Sequence, residues 1–177
     1  MRVMEPITRM DLAFLQLCLG HRFNNQVARV SKAISHTGDG HLYLFIGLAA
    51  WALDHQLGLL FLCAGLLAFA LELPIYWVTK NSFRRQRPYV LSKLIPSFIT
   101  PSDQYSLPSG HTAAAFLMAT LTSHFYPELG VVAFVWASLI GSARILLGVH
   151  FFTDVLIGAL LGSGCAQLSV SIVEAMR

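Results

Sequence analysis

Apolar residues occur in five long runs, which short polar segments separate. The runs cover residues 41–53, 57–79, 109–125, 129–149 and 154–173. A helix needs roughly 20 apolar residues to cross a bilayer, so most of these runs are long enough and the first is marginal. The pattern predicts five membrane-crossing helices that are joined by polar turns.

The N-terminal region follows a different pattern. Residues 11–19 predict a short helix that ends at Gly20, and residues 24–34 mix apolar positions with Arg29 and Lys32. Such a segment is typical of an amphipathic helix at a membrane surface. The first residues do not resemble a signal peptide, so we expect this end of the chain to be retained.

The fold class follows from these patterns: an all-α, polytopic membrane helix bundle with a short N-terminal interfacial helical segment. It has five transmembrane helices, or six if residues 11–34 also cross. By length, residues 1–177 predict a single membrane-embedded domain. Residues 1–37 would form the interfacial part and residues 38–175 the helical core.

Composition supports a lipid environment. Hydrophobic residues make up 55% of the chain and charged residues only 12%, and the mean hydropathy is +0.62. Soluble domains carry about twice that charged fraction. Within the second run, Pro74 predicts a kink, and Glu72 is expected in an internal ion pair or protonated, with a functional role as the alternative. The cysteines are expected to be small buried hydrophobes; they are Cys18, Cys63 and Cys165.

Three polar segments carry the residues that phosphate chemistry requires. They cover residues 80–88, 108–111 and 144–154. Phosphoryl transfer needs charge neutralisation, amide donors, a nucleophile and an acid. Counting the predicted crossings places all three segments at the same membrane face, which favours one composite site.

The second segment, Pro108-Ser109-Gly110-His111, lies where a loop becomes a helix. Free amides at a helix start bind anions, and glycine allows a ligand to come close. An ordinary capped helix start is the alternative interpretation.

Cations frame the predicted site. Lys80 and Arg87 are seven residues apart. Arg144 lies near the end of the fourth run, where a charge is costly unless it is paired or has a function. These three predict a phosphate clamp. The remaining cations of the loop are expected to extend to lipid head groups; they are Arg84, Arg85 and Lys93.

His150 and Asp154 are four residues apart and would be neighbours across one helical turn. A carboxylate on one ring nitrogen would leave the other free to attack. A capping aspartate beside an interfacial histidine is the alternative. No set of residues has metal-ligand spacing, so we predict no metal and no cofactor. The other histidines are expected at interfaces or in loops; they are His21, His36, His41, His55 and His124.

Taken in order, the three segments resemble the signature of the type-2 phosphatidic acid phosphatase superfamily, Lys-x6-Arg-Pro, Pro-Ser-Gly-His and Arg-x5-His-x3-Asp. The resemblance covers residues 38–175. Ala143 departs from the pattern, because the family often has serine there, and Ser142 is adjacent.

The resemblance implies a role for each residue. His150 would attack phosphorus and form a phosphohistidine, Asp154 would orient it, and His111 would protonate the leaving oxygen. The phosphate oxygens would be held by five residues: Lys80, Arg87, Ser109, Gly110 and Arg144.

The expected function is hydrolysis of a terminal phosphate from a lipid phosphate or diphosphate, of the undecaprenyl diphosphate, phosphatidylglycerol phosphate or phosphatidate type. Two alternatives stay open: a non-catalytic membrane protein that binds anionic lipid or assists lipid transport, and the related vanadium haloperoxidases, which are larger and soluble. Besides a lipid phosphate, the bilayer is the expected partner and nucleic acid is not.

The expected location is a cell membrane, of the bacterial inner-membrane type. The crossings place all of the 12 Lys and Arg residues except Arg177 on the site face. The positive-inside rule then favours the cytoplasm, whereas bacterial relatives of this kind more often have the site outside. We favour the extracytoplasmic face.

Overall fold

The computed structural model describes residues 5–20 and 24–176, so His21 and Arg177 lie outside the described part of the chain. All regular structure in the described part is helical, which confirms the all-α class. The helices are α1 (Glu5–Leu19), α2 (Asn24–His36), α3 (Gly40–Leu53), α4 (Gly58–Phe83), α5 (Pro88–Leu91), α6 (Gly110–Phe125), α7 (Pro127–Leu146) and α8 (Phe152–Ala175).

Three of these helices, α4, α7 and α8, are long and apolar enough to cross a membrane. Their outer faces are apolar: Trp77 on α4 is 66% exposed and Val131 on α7 is 77% exposed. Such surfaces fit lipid rather than water, as expected for a membrane protein. The apolar α3 has 14 residues and α6 has 16. The count of five to six crossings therefore stays a prediction.

The centre of the bundle is α6, which packs against α4, α7 and α8. Backbone atoms of α8 approach α6 closely, because a Cβ added at Gly162 would lie 1.9 Å from the carbonyl oxygen of Ala113. The same test at Gly158 gives 2.6 Å to the carbonyl oxygen of Ser109, whereas Gly164 meets nothing within 4 Å. This contact holds the start of α6 against the start of α8, where two of the polar segments lie.

The N-terminal helices cover one end of the bundle. Helix α2 lies where the sequence predicts it, and α1 begins six residues before its predicted start at Asp11. On α1, Leu15 packs with Ile145 and Phe151, and on α2, Ala28 packs with Leu147. Neither helix lies only on a lipid surface, because both pack against the bundle. Helix α1 also buries a carboxylate, that of Asp11, to 4% exposure.

The structure tests the predicted burial of the cysteines and of Glu72. The cysteine prediction is right for Cys165, which is buried, and wrong for Cys63, which is exposed on the outer face of α4. Glu72 is 3% exposed, as expected for an internal carboxylate. No ion pair of Glu72 is present among the described residues. Helix α4 continues through Pro74 without a break.

Candidate active site

The three polar segments meet at one end of the bundle. The guanidinium of Arg87 donates from Nη1 to the carbonyl oxygen of Val149 at 2.7 Å and lies 3.4 Å from His150 Nε2. The backbone N–H of Ser109 donates to the carbonyl oxygen of Asp154 at 3.0 Å. The first segment is therefore joined to the third, and the third to the second.

The end of α4 directs the first segment inward. Arg84 adopts a left-handed backbone conformation with φ 47°, and its N–H caps the helix at the carbonyl oxygen of Lys80. Pro88 begins α5, and Arg87 before it is extended, as a residue before proline prefers. The reversal leaves Arg84 exposed and buries Arg85 and Arg87 to 7% and 1% exposure.

The three predicted clamp cations are all buried: Lys80 and Arg144 are 5% exposed and Arg87 is 1% exposed. A buried cation needs a counter-charge. Asp103 supplies it to both Lys80 and Arg87. Its Oδ2 lies 2.6 Å from Lys80 Nζ and its Oδ1 pairs with Arg87 Nη2. Tyr76 also donates its hydroxyl to Asp103 Oδ2 at 2.8 Å.

Asp103 was missed from the sequence, because a carboxylate on a long loop carries no motif and is not expected beside phosphate-binding cations. Burial alone would raise the pKa of this carboxyl, but the hydrogen bond and charge of Lys80 outweigh it and lower the pKa to about 2. Asp103 is therefore ionised at neutral pH. A phosphate that binds Lys80 and Arg87 has to share these cations with it or displace it.

His150 is 2% exposed, and burial lowers its pKa to about 4. The positive charges of Arg87 and Arg144 also lower this pKa, whereas Asp154 raises it. The imidazole is therefore neutral at pH 7, as a nitrogen nucleophile must be. Its Nδ1 lies 3.7 Å from Asp154 Oδ2, which is longer than a hydrogen bond.

Asp154 is 0% exposed, and both of its oxygens have other partners. The backbone N–H of Phe151 donates to Oδ2 at 2.8 Å, and Arg85 donates from Nη1 to Oδ1 at 2.7 Å. These bonds hold the carboxylate beside His150.

Arg85 corrects a prediction, because it does not extend to lipid head groups. Its other terminal nitrogen pairs with Asp11 of α1 at 2.7 Å, so one guanidinium bridges two buried carboxylates. Thr153 closes the network with its hydroxyl bonded to Asp11. Only the fold places Asp11 here, 74 residues from Arg85 along the chain.

The second segment lies at the start of α6, beside the third segment. Ser109 is the N-cap residue of α6, but its hydroxyl bonds to the hydroxyl of Thr112 at 2.8 Å instead of capping an amide. Gly110 lies against the ring of Tyr76, where a Cβ would come within 3.0 Å of a ring carbon. His111 has an aspartate partner that the sequence did not predict, Asp39, at 3.1 Å.

Two recesses open beside His111. An apolar groove of about 470 Å³ runs between α3, α4 and α6, and Glu72 lies along its wall. A second recess of about 590 Å³ has three basic side chains, Lys32, His36 and Arg144, among its lining residues. A long apolar chain fits the first, and a charged group fits the second.

The family model of the PAP2 superfamily matches residues 57–177. The chain belongs to the PAP2 superfamily. Asp11 and Asp39 precede the matched residues.

Solved PAP2 structures share the fold. LpxE of Aquifex aeolicus is similar with a TM-score of 0.77 and 28% identity, covering 90% of this chain and 94% of that one. A PAP2-type phosphatidylglycerolphosphate phosphatase from Bacillus subtilis gives a TM-score of 0.77 and 26% identity, covering 97% and 88%.

Among curated relatives, an undecaprenyl-diphosphatase of Sulfolobus acidocaldarius is 34% identical over 97 residues, which cover 48% of this chain and 45% of the relative. The chain spans less than half of the length of this relative and of another curated relative, an acid phosphatase of Zymomonas mobilis.

Proposed function

We propose that this protein is an integral membrane lipid phosphatase that removes a terminal phosphate from a lipid phosphate or diphosphate. The observation that carries the proposal is that buried cations lie beside both histidines, Arg87 against His150 and Arg144 along a recess shared with His111, and that an apolar groove also opens at His111. The cations would neutralise the phosphate oxygens, and the groove would take the lipid chain. PAP2 relatives named for undecaprenyl diphosphate, lipid A and phosphatidylglycerol phosphate support this substrate class.

The proposed mechanism has two steps. In the first, His150 Nε2 forms a bond to phosphorus while the bond from phosphorus to the lipid oxygen breaks, and His111 gives that oxygen a proton. In the second, water hydrolyses the phosphohistidine. The neutral state of His150 and the position of its Nε2 beside Arg87 support its role as the nucleophile. Ser109, Gly110 and the clamp cations would hold the phosphate, with no metal required.

Phosphate release in proteoliposomes tests the proposal. Undecaprenyl diphosphate, phosphatidylglycerol phosphate and phosphatidate are compared for the purified protein and for His150→Ala and His111→Ala. We expect both variants to lose about 10³-fold or more in rate. His55→Ala is the matched control, because His55 is exposed in the turn between α3 and α4, at the far end of α3. Full activity of folded His150→Ala, or lipid binding without phosphate release by the wild type, would overturn the proposal.

A trapping experiment tests the intermediate separately. Rapid quenching with a ³²P-labelled lipid phosphate is expected to label the protein through an acid-labile, alkali-stable bond. The label should be absent from His150→Ala. An acid-stable label, or a label that persists in His150→Ala, would place the covalent step on another residue.

We further propose five crossings, by α3, α4, α6, α7 and α8, in a membrane of the bacterial inner-membrane type. The single domain would have its site on the extracytoplasmic face. Labelling of Ser102→Cys by a membrane-impermeant thiol reagent in intact cells tests the sidedness, because Ser102 is exposed on the site loop. The three native cysteines are first replaced by serine. Labelling only after the cells are opened would place the site in the cytoplasm.

A further inference from the structure

His111 and His150 each contact a carboxylate, but only Asp154 is in the family signature. The partner of His111 is Asp39, whose Oδ1 lies 3.1 Å from His111 Nε2. Its other oxygen lies 2.6 Å from Nδ1 of His36, at the end of α2. Both oxygens of Asp39 therefore face histidines.

Asp39 is the N-cap residue of α3, where an aspartate ordinarily accepts a bond from an amide of the first helical turn. Its backbone has the extended conformation of a capping residue, with φ −72° and ψ 137°, but its side chain makes no capping hydrogen bond. Helix stability therefore does not account for where the carboxylate points.

The turn that carries Asp39 is fixed against α7. A Cβ at Gly38 would lie 3.0 Å from the Ile140 side chain, and Trp136 donates its indole N–H to the hydroxyl of Thr37 at 3.0 Å. This packing holds the carboxylate in place. A group held by packed neighbours can orient a partner without losing entropy at each turnover.

We propose that Asp39 is a positioning residue for the general acid: it binds His111 through Nε2, favours the imidazolium form, and leaves the proton on Nδ1 for the leaving oxygen. This inference rests on the proposed function. When the bond from phosphorus to the lipid oxygen breaks, its electron pair stays on that oxygen and the His111 proton moves there. The same nitrogen can then accept a proton from the water that hydrolyses the phosphohistidine.

The two dyads then differ in the way that the two roles require. His150 is almost fully buried and has Arg87 beside it, which favours a neutral ring. The side chain of His111 is 33% exposed and lies against a carboxylate, whose charge offsets part of the cost of protonating the ring. A general acid needs such a partner, whereas a nucleophile needs a neutral ring.

Other charges also reach His111 and act on its protonation. Burial of the ring and the charge of Arg144, which lines the same recess, oppose a positive charge on His111, whereas Asp39 and Asp103 favour it. His36 shares Asp39, and its side chain is 80% exposed. Asp39 is the one direct contact of His111 among the ionisable groups of the described residues.

The test uses two lipid-like esters of matched chain length, dodecyl phosphate and an alkylphenyl phosphate. An alcohol is a poor leaving group and needs a proton, whereas a phenol, with a pKa of about 10, needs much less help. Asp39→Asn keeps the shape of the side chain but removes its charge. We expect kcat for the alkyl ester to fall about 100-fold, the scale of general acid catalysis, and kcat for the aryl ester only a few-fold.

A second readout is the pH profile. Loss of the carboxylate should move the basic limb of kcat for the alkyl ester to lower pH in Asp39→Asn, and Asp39→Glu should restore part of it. In a His111→Ala background, Asp39→Asn should cause no further loss, because the two residues act as a unit.

Asp54→Asn is the matched control. Asp54 lies at the other end of α3, where it accepts the backbone N–H groups of Gln56 and Leu57, so its loss should leave the ratio of the two rates unchanged.

The outcomes of this test distinguish the explanations. Retained activity of Asp39→Asn on the aryl ester shows that the protein is folded, and together with the selective loss it supports the inference. Equal losses on both esters, or no loss on either, would overturn it. If the wild type hydrolyses neither ester and no lipid phosphate, the proposed function itself fails. If the wild type is active and His150→Ala inactive, a result against Asp39 concerns this inference alone.

Discussion

Arg85 offers the sharpest test of how the fold supports the site. Its guanidinium, 7% exposed, is the shared counter-charge of Asp11 and Asp154, which are 4% and 0% exposed. Arg85→Met keeps the length and apolar volume of the side chain but leaves both carboxylates buried without their cation. Removing one partner of a buried ion pair typically costs about 3–5 kcal/mol.

This loss should be visible as a lower unfolding temperature in detergent. At roughly 2–4 °C per kcal/mol for a chain of this size, the midpoint should fall by about 6–20 °C. Catalytic activity should fall as well, because Asp154 loses the bond that holds it beside His150. Far-ultraviolet circular dichroism follows the unfolding, and phosphate release follows the activity.

Arg84→Met is the matched control, because the neighbouring arginine is exposed and, within the described part of the chain, its side chain donates only to the carbonyl oxygen of Asn81. Its effect should stay within about 0.5 kcal/mol. Adding Asp11→Leu to Arg85→Met removes one stranded carboxylate, so the double variant should be more stable than the sum of the single effects by about 0.5–3 kcal/mol. An Arg85→Met protein as stable as Arg84→Met, or strict additivity in the double variant, would refute the bridging role.

Three further predictions concern the proposed phosphate clamp, the proposed nucleophile and the core. Asp103→Asn should strengthen inhibition by inorganic phosphate about tenfold, a change of ~1.4 kcal/mol in binding free energy, because the carboxylate no longer competes with phosphate for Lys80. Weaker inhibition would mean that Asp103 helps to hold phosphate. His150 has a folded pKa of about 4, below the 6.5 of an exposed histidine, so its ring signals should not titrate between about pH 8 and pH 6. Because the unfolded chain binds the extra proton, the thermal midpoint should fall as the pH drops from 6.5 towards 4, and a midpoint that rises would contradict this. Gly162→Val should lower the midpoint by at least several degrees through its clash with α6, whereas Gly164→Ala, in open space, should change it little; equal effects would contradict the close contact.

Local sequence accounts for the helices and for the order of the three segments. The apolar runs are long enough to predict α4, α7 and α8, and the turn residues around 54–57 and 126–127 predict where the helices end. Spacing along the chain also identifies the candidate site, since Lys80, Arg87 and His150 belong to a signature that is readable without a structure. The crossing count could even predict that these residues meet at one face.

The partners of those residues depend on the tertiary structure. Asp11, Asp39 and Asp103 lie outside every motif, and each reaches its histidine or arginine only because helices or loops distant in sequence pack together. A charged residue at a membrane boundary has the same local signal whether it faces a head group or a buried carboxylate, so Arg85 was assigned to the lipid surface. Composition and spacing by themselves determined that the chain is a helical membrane protein with the residues for phosphate chemistry. Which carboxylate neutralises, orients or competes with each of those residues was decided by the packing of α1, the α2–α3 turn and the loop after α5, because electrostatic contacts depend on distance in space and not on separation along the chain.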